Sequence, residues 1–110
     1  MNWIELTNED QLELIRKNSS IKPQVIFKHS TRCAASSMVK HRLERAIQPP
    51  GINFHFLDLI KYRTLSNTIE EQFMVHHESP QVLLIKDGEC IYEESHSGIS
   101  MDEIRDQVEH

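Results

Sequence analysis

Apolar side chains recur along this chain in two rhythms, and the alternation between them outlines a fold. From Val25 to Phe27, and again from Val82 to Ile85, the apolar positions are continuous. Short unbroken runs of this kind suit strands covered on both faces. Elsewhere the period lengthens to three or four. Leu12 and Ile15 predict a first helix from about Asn8 to Lys17, and Thr7-Asn8-Glu9-Asp10 has the form of a capping box at its start. Val39, Leu43, Ala46 and Ile47 make the stripe of a second helix, which Pro49-Pro50-Gly51 stops. Leu65, Ile69 and Phe73 recur every four residues in a third. Met101, Ile104 and Val108 supply the face of a last helix, opened by a second capping box, Ser100 to Glu103.

The strands are placed by their punctuation. Trp3 to Leu6 reads as a short first strand, and Pro23 marks the beginning of the Val25–Phe27 strand. Ile52 to Leu59 is another, parallel to it if the second helix is a right-handed crossover. Asp87-Gly88 separates Gln81–Ile85 from Cys90–Tyr92 and predicts a type I′ hairpin, hence two antiparallel neighbours. His76-His77 falls at the end of the third helical pattern.

Composition narrows the function classes. With 110 residues, residues 1–110 are expected to form one domain with a core of its own. The net charge is −5 and no Lys/Arg cluster accompanies stacking aromatics, so nucleic acid is not an expected partner. No apolar run reaches membrane-spanning length and Met1–Leu6 has no leader-like pattern, so a cytoplasmic protein is expected. Two cysteines, Cys33 and Cys90, are far apart, and in a reducing compartment they are not presumed to be bonded.

Cys33 stands where the polar turn after the Val25–Phe27 strand meets the second helix. Free N–H groups and the positive dipole end of a helix N-terminus favour thiolate over thiol, which marks Cys33 as a nucleophile. Thr31 is the expected cap of that helix, and His29 is placed to hold or tune the turn. Cys90 sits within a strand, where a packed thiol is expected. His29, His76, His77 and His96 show no metal-motif spacing, so no metal site is expected.

The order of elements, the Cys33-Ala34-Ala35-Ser36 motif, Ser79-Pro80 ahead of an apolar strand, and Gly98 before the last helix resemble the thioredoxin fold over essentially the whole chain. That resemblance implies an α/β class with a central mixed four- to five-stranded sheet and helices on both faces. Phe27-Lys28-His29-Ser30-Thr31, followed by Cys33 and Ser36, is most similar to the YtxJ-like general stress proteins, or monothiol bacilliredoxins. Those usually carry Thr-Cys-Pro-x-Ser; here Arg32 precedes the cysteine and Ala34 replaces the proline.

The resemblance implies thiol–disulfide exchange by one thiol. Ser36 occupies the place of a second cysteine, and Phe27 the place of the buried Asp of dithiol thioredoxins. Cys33 would be the nucleophile, Ser36 a hydrogen-bond donor to its thiolate, and Thr31 and Arg32 part of the substrate surface. Pro80 would be a cis proline, with the backbone of Ser79 aligning an extended substrate. No tightly bound cofactor is implied. The partners would be protein mixed disulfides, a low-molecular-weight thiol such as bacillithiol, and a clearing thiol or reductase, acting on a monomer or weak dimer. The rival reading is a non-catalytic peptide-binding module that uses a Ser79-Pro80 groove. A reductase of inorganic oxyanions would want several donors after the cysteine, and Ala34-Ala35 offers none.

Overall fold

A computed structural model describes residues 1–109. The elements follow one another as β1 (Trp3–Glu5), α1 (Glu9–Asn18), β2 (Gln24–His29), α2 (Ala34–Arg45), β3 (Asn53–Asp58), α3 (Arg63–Phe73), β4 (Gln81–Lys86), β5 (Glu89–Ser95) and α4 (Met101–Glu109), with a 3-10 turn at His96–Gly98. The strands form one mixed sheet in the order β1-β3-β2-β4-β5. β3 lies parallel to β1 and β2, and β4 runs antiparallel to β2 and β5.

All six residues of β2 are buried, as the unbroken apolar run required. Its alternation splits the interior into two layers. Val25 and Phe27 pack with Val39 and Leu43 of α2 and with Met101 and Ile104 of α4. Ile26, on the other face, packs with Leu12 and Ile15 of α1 and Leu65 and Ile69 of α3. The helices therefore cover both faces, and the fold is the α/β thioredoxin-like arrangement that the motifs implied.

Local chemistry moves several boundaries. The first helix is capped by Asn8, whose Oδ1 accepts from Gln11 N–H at 2.9 Å, while Gln11 Oε1 accepts from Thr7 N–H at 2.7 Å. The cap thus sits one residue later than the Thr7–Asp10 reading, and the Gln11 side chain reaches back past it to Thr7. Ser100 Oγ does accept from Glu103 N–H, at 3.1 Å. At the hairpin, Asp87 and Gly88 both have positive φ, 53° and 79°, the combination a type I′ turn needs.

Two expectations of the second and third helices fail. α2 ends at Arg45 with Ala46 already extended, so Ile47 leaves the apolar stripe and is 84% exposed. α3 ends at Phe73, where Met74 takes a left-handed conformation. His76 and His77 consequently lie in the connection to β4 rather than on a helix end.

One buried polar pair carries a pH dependence. His55 Nε2 lies 2.7 Å from Gln24 Oε1, and burial pushes the imidazole down to about 4. The unfolded chain then binds a proton between pH 6.5 and about 4 that the folded chain refuses, so this contribution is complete above pH 6.5 and is lost as pH falls through that window. Urea unfolding should show stability dropping between pH 7 and pH 4. The drop should be smaller in His55→Gln by on the order of 1–3 kcal/mol.

Candidate active site

The turn after β2 is built from inside outwards. His29 is the last residue of the strand and is buried on the α2 face with Phe27 and Phe56, ring centroids 5.9 and 5.3 Å away. Its Nδ1 lies 2.7 Å from Ser36 Oγ, and the same oxygen accepts from Ser30 N–H at 3.1 Å. With Ser30 supplying one hydrogen, the Ser36 hydroxyl proton is free for the ring nitrogen. That arrangement suits a neutral imidazole, and burial, with Lys40 nearby, holds the His29 pKa below its usual range. Ser36 itself is fully buried.

Cys33 is the N-cap of α2, with extended backbone angles. Its N–H donates to Ser30 O at 3.2 Å and its carbonyl accepts from Ser37 N–H at 3.1 Å. No side chain caps the helix, so the first-turn N–H groups have no side-chain acceptor. The side chain at the capping position, where an oxygen usually serves, is the Cys33 thiol. Cys33 is half-buried, free of any disulfide, and therefore partly open to a reaction partner.

Thr31 is exposed and does not cap α2, which corrects the sequence expectation. The reason is steric order along the chain: the turn needs Thr31 and Arg32 to round the corner, and Ser30 Oγ, not Thr31, accepts from Arg32 N–H at 3.3 Å. Arg32 is exposed, and its guanidinium makes no ion pair among the described residues. The resemblance implies that Ser36 faces the thiol; its Oγ lies within hydrogen-bond distance of His29 Nδ1 and Ser30 N–H.

Ser79 and Pro80 come from the connection that leads into the neighbouring strand, β4. Lys28 of β2 is opposite Gln81 of β4, which puts Pro80 one step further, at the same end of the sheet as His29 and the Cys33 turn. The Ser79–Pro80 bond is cis, and Pro80 O accepts from His96 N–H at 3.0 Å. Ser79 Oγ is buried without a partner among the described residues. Cys33, Arg32, Ser79 and Pro80 thus share one end of the sheet, although they lie on separate connections of the chain.

Cys90 is half-buried in β5, with Sγ 3.3 Å from Tyr92 O, and burial raises its pKa. No group of three or more His, Cys, Asp or Glu side chains that could hold a metal occurs among the described residues. No helix among them is long and apolar enough to cross a membrane.

Two buried residues beside the site were not singled out from the sequence. Lys28 interrupts the apolar run of β2 and Gln81 opens β4, and both are fully buried. A lysine directly after Val25-Ile26-Phe27 was the available signal. A polar residue inside a run whose neighbours are all covered must be covered too.

Residues 4–104 match the protein family described as Monothiol bacilliredoxin BrxC. Among solved structures, the chain is similar to a protein described as an oxidoreductase with a thioredoxin fold, at 26% identity and a TM-score of 0.82, over 96% of this chain and 92% of that one. Mitochondrial thioredoxin 3 from Saccharomyces cerevisiae superposes with a TM-score of 0.74 at 22% identity, over 97% of this chain and 93% of that one. Thioredoxin from Trypanosoma brucei brucei gives 0.79 at 14% identity, over 99% and 93%. The last two likenesses concern the fold alone.

If Ser36 fastens the turn through His29 and Ser30, removing its hydroxyl leaves two buried polar groups unpaired. Ser36→Ala should lower stability by about 1–3 kcal/mol in urea unfolding at pH 7. Ser37→Ala, one position along and exposed, should change it little.

Proposed function

Because this chain belongs to the monothiol bacilliredoxin BrxC family, we propose that it removes a low-molecular-weight thiol from protein mixed disulfides, with Cys33 as the only redox-active thiol. The coarse chemistry, thiol–disulfide exchange, follows from family and fold. The single observation that carries the finer reading is the Cys33 thiol at the uncapped start of α2, with a buried serine, not a second thiol, one turn on.

The steps balance as two exchanges. The Cys33 thiolate attacks the small-thiol sulfur of a protein mixed disulfide; the protein leaves as a thiolate and takes up a proton, and Cys33 holds the small thiol as a new disulfide. A second small-thiol molecule, or a dithiol reductase, then attacks that disulfide and restores the Cys33 thiolate. With a second small thiol the product is its symmetric disulfide; with a dithiol it is the reductase's own disulfide and one free small thiol. Neither step asks for an internal resolving cysteine. Half-buried Cys90, whose Sγ is bonded to Tyr92 O, stays out of the reaction.

The remaining residues take supporting roles in this reading. Ser36 keeps the nucleophile's turn in place through His29 and Ser30. Exposed Arg32 and Thr31 flank the thiol on the solvent side and meet the anionic part of the incoming disulfide. The backbone at Ser79, ahead of Pro80, pairs with an extended stretch of the substrate. Bacillithiol is the small thiol that the family's description names by implication, and a reducing compartment such as the cytoplasm suits two unpaired cysteines.

Incubation with a panel of oxidised small thiols, followed by intact-mass measurement, tests the proposal. One small-thiol adduct should appear on wild type and on Cys90→Ser, and none on Cys33→Ser. Release of the adduct by one reduced thiol in preference to the others identifies the partner. An adduct that persists in Cys33→Ser would overturn the assignment.

A further inference from the structure

Lys28 stands in the central strand, fully buried, where its neighbours Val25, Ile26 and Phe27 are all apolar. Burying a cation there is costly unless it is bonded, and an apolar residue of similar volume would pack the layer at lower cost. Its presence therefore calls for a reason other than stability. The partner it meets supplies one. Lys28 Nζ lies 3.3 Å from His77 Nδ1, and Ser66 Oγ of α3 is 3.4 Å from the same ring nitrogen. His77 belongs to the connection 74–80, three residues before Pro80.

The same connection is gripped at neighbouring positions. Glu70 Oε2 accepts from His77 N–H at 2.6 Å. Gln81, opposite Lys28 in the β2–β4 register and so on the same face, donates to His76 O at 3.0 Å and accepts from Glu78 N–H at 3.3 Å. Gln81 and Glu70 hold backbone, whereas Lys28 holds a side chain of the segment, the His77 ring.

We propose that Lys28 is a positioning residue: through His77 it sets the connection that carries Ser79 and Pro80, and thereby the alignment of an extended disulfide substrate over Cys33. This rests on the substrate-aligning role given to Ser79 above. Lys28 touches neither substrate nor thiol; it acts from the opposite face of the sheet from Phe27.

The charges around the pair favour a device that responds to pH. From α3 come Glu70, which supports the ammonium, and Arg63, which opposes a proton on His77; from the connection comes Glu78. β4 contributes neutral Gln81 and β3 apolar Leu57. Burial pulls the Lys28 ammonium down to about 8, and burial together with Lys28 keeps the His77 imidazole below its usual range. At neutral pH a charged donor thus meets a neutral acceptor. Above about pH 8 the charge is lost, and with it the stronger form of the bond.

The test compares wild type, Lys28→Met and His77→Leu on a peptide carrying one cysteine as a mixed disulfide, prepared with bacillithiol and, separately, with glutathione. Each rate is divided by the rate of Cys33 alkylation by iodoacetamide, which needs no aligned peptide. The division cancels the thiol's own titration. In wild type the ratio should fall as pH passes about 8. In both variants it should be roughly tenfold lower at pH 7 and flat with pH, the loss appearing in KM more than in kcat. Folded variants with the wild-type ratio and the wild-type pH dependence would overturn the proposal. Amide hydrogen exchange gives an independent reading: protection of residues 75–79 should drop in Lys28→Met, and unchanged protection there counts against Lys28. If wild type turns over no mixed-disulfide peptide, the substrate reading fails, and the exchange data alone decide whether Lys28 positions the connection.

Discussion

Burial of β2 on both faces is the constraint from which the site follows. A strand with no solvent-facing side has to be flanked by strands and roofed by helices, and here β3 and β4 flank it while α2 with α4, and α1 with α3, form the two roofs. The chain leaves such a strand only at its ends. At the end nearest α2 it turns through Ser30 to Arg32, and the first residue past that turn is Cys33. Cys33 is therefore carried by the most thoroughly buried strand among the described residues, and its reach into solvent is set by the three residues of turn, Ser30 to Arg32. Rigidity beneath and exposure above are both consequences of one packing decision.

The polar groups at this end divide by face. On the α2 side His29, Ser36 and Ser30 form a closed set of hydrogen bonds that ties the strand's last residue to the first turn of the helix. On the α3 side Lys28, His77, Ser66, Glu70 and Gln81 tie the adjacent strand residues to the connection before Pro80. Consecutive residues of one strand, Lys28 and His29, thus govern the two chain segments that meet at the site. Alternation along a strand is the reason: neighbours in sequence must point to opposite faces. Gln24 and His55 form a separate buried pair at the far end of the sheet; the larger polar set at this end is expensive to hold there, and its location beside Cys33 argues that it serves the site as well as the fold.

Replacing a second thiol by Ser36 changes more than the redox count. A resolving cysteine needs its sulfur free to attack the disulfide formed on the nucleophile; Ser36 carries no thiol and is fully buried, its Oγ placed against a strand residue and a turn amide. The position is structural here, and in the proposed function Cys33 would act as a lone exchange centre whose disulfide is cleared from outside.

The sequence alone determined the periods, and with them the strand–helix order, because the run Val25–Phe27 and the stripes of Leu65, Ile69, Phe73 and of Met101, Ile104 report which faces are covered whatever the details. It also determined the hairpin, since Asp87-Gly88 takes positive φ at two successive residues with little cost, and it placed Cys33 at a helix start. Helix ends and side-chain partners were decided by the tertiary structure. Ile47 left its stripe because Ala46 turned extended first, and Thr31 lost the cap to Cys33 because the turn consumed it. The pairings His29–Ser36, Lys28–His77 and Gln24–His55 join residues 7, 49 and 31 positions apart. Sequence shows that Lys28 and His77 exist; only the β2–β4 register and the path of the connection bring them together. A hydrogen bond needs its atoms within a few tenths of an ångström, and no pattern of residue types carries that distance.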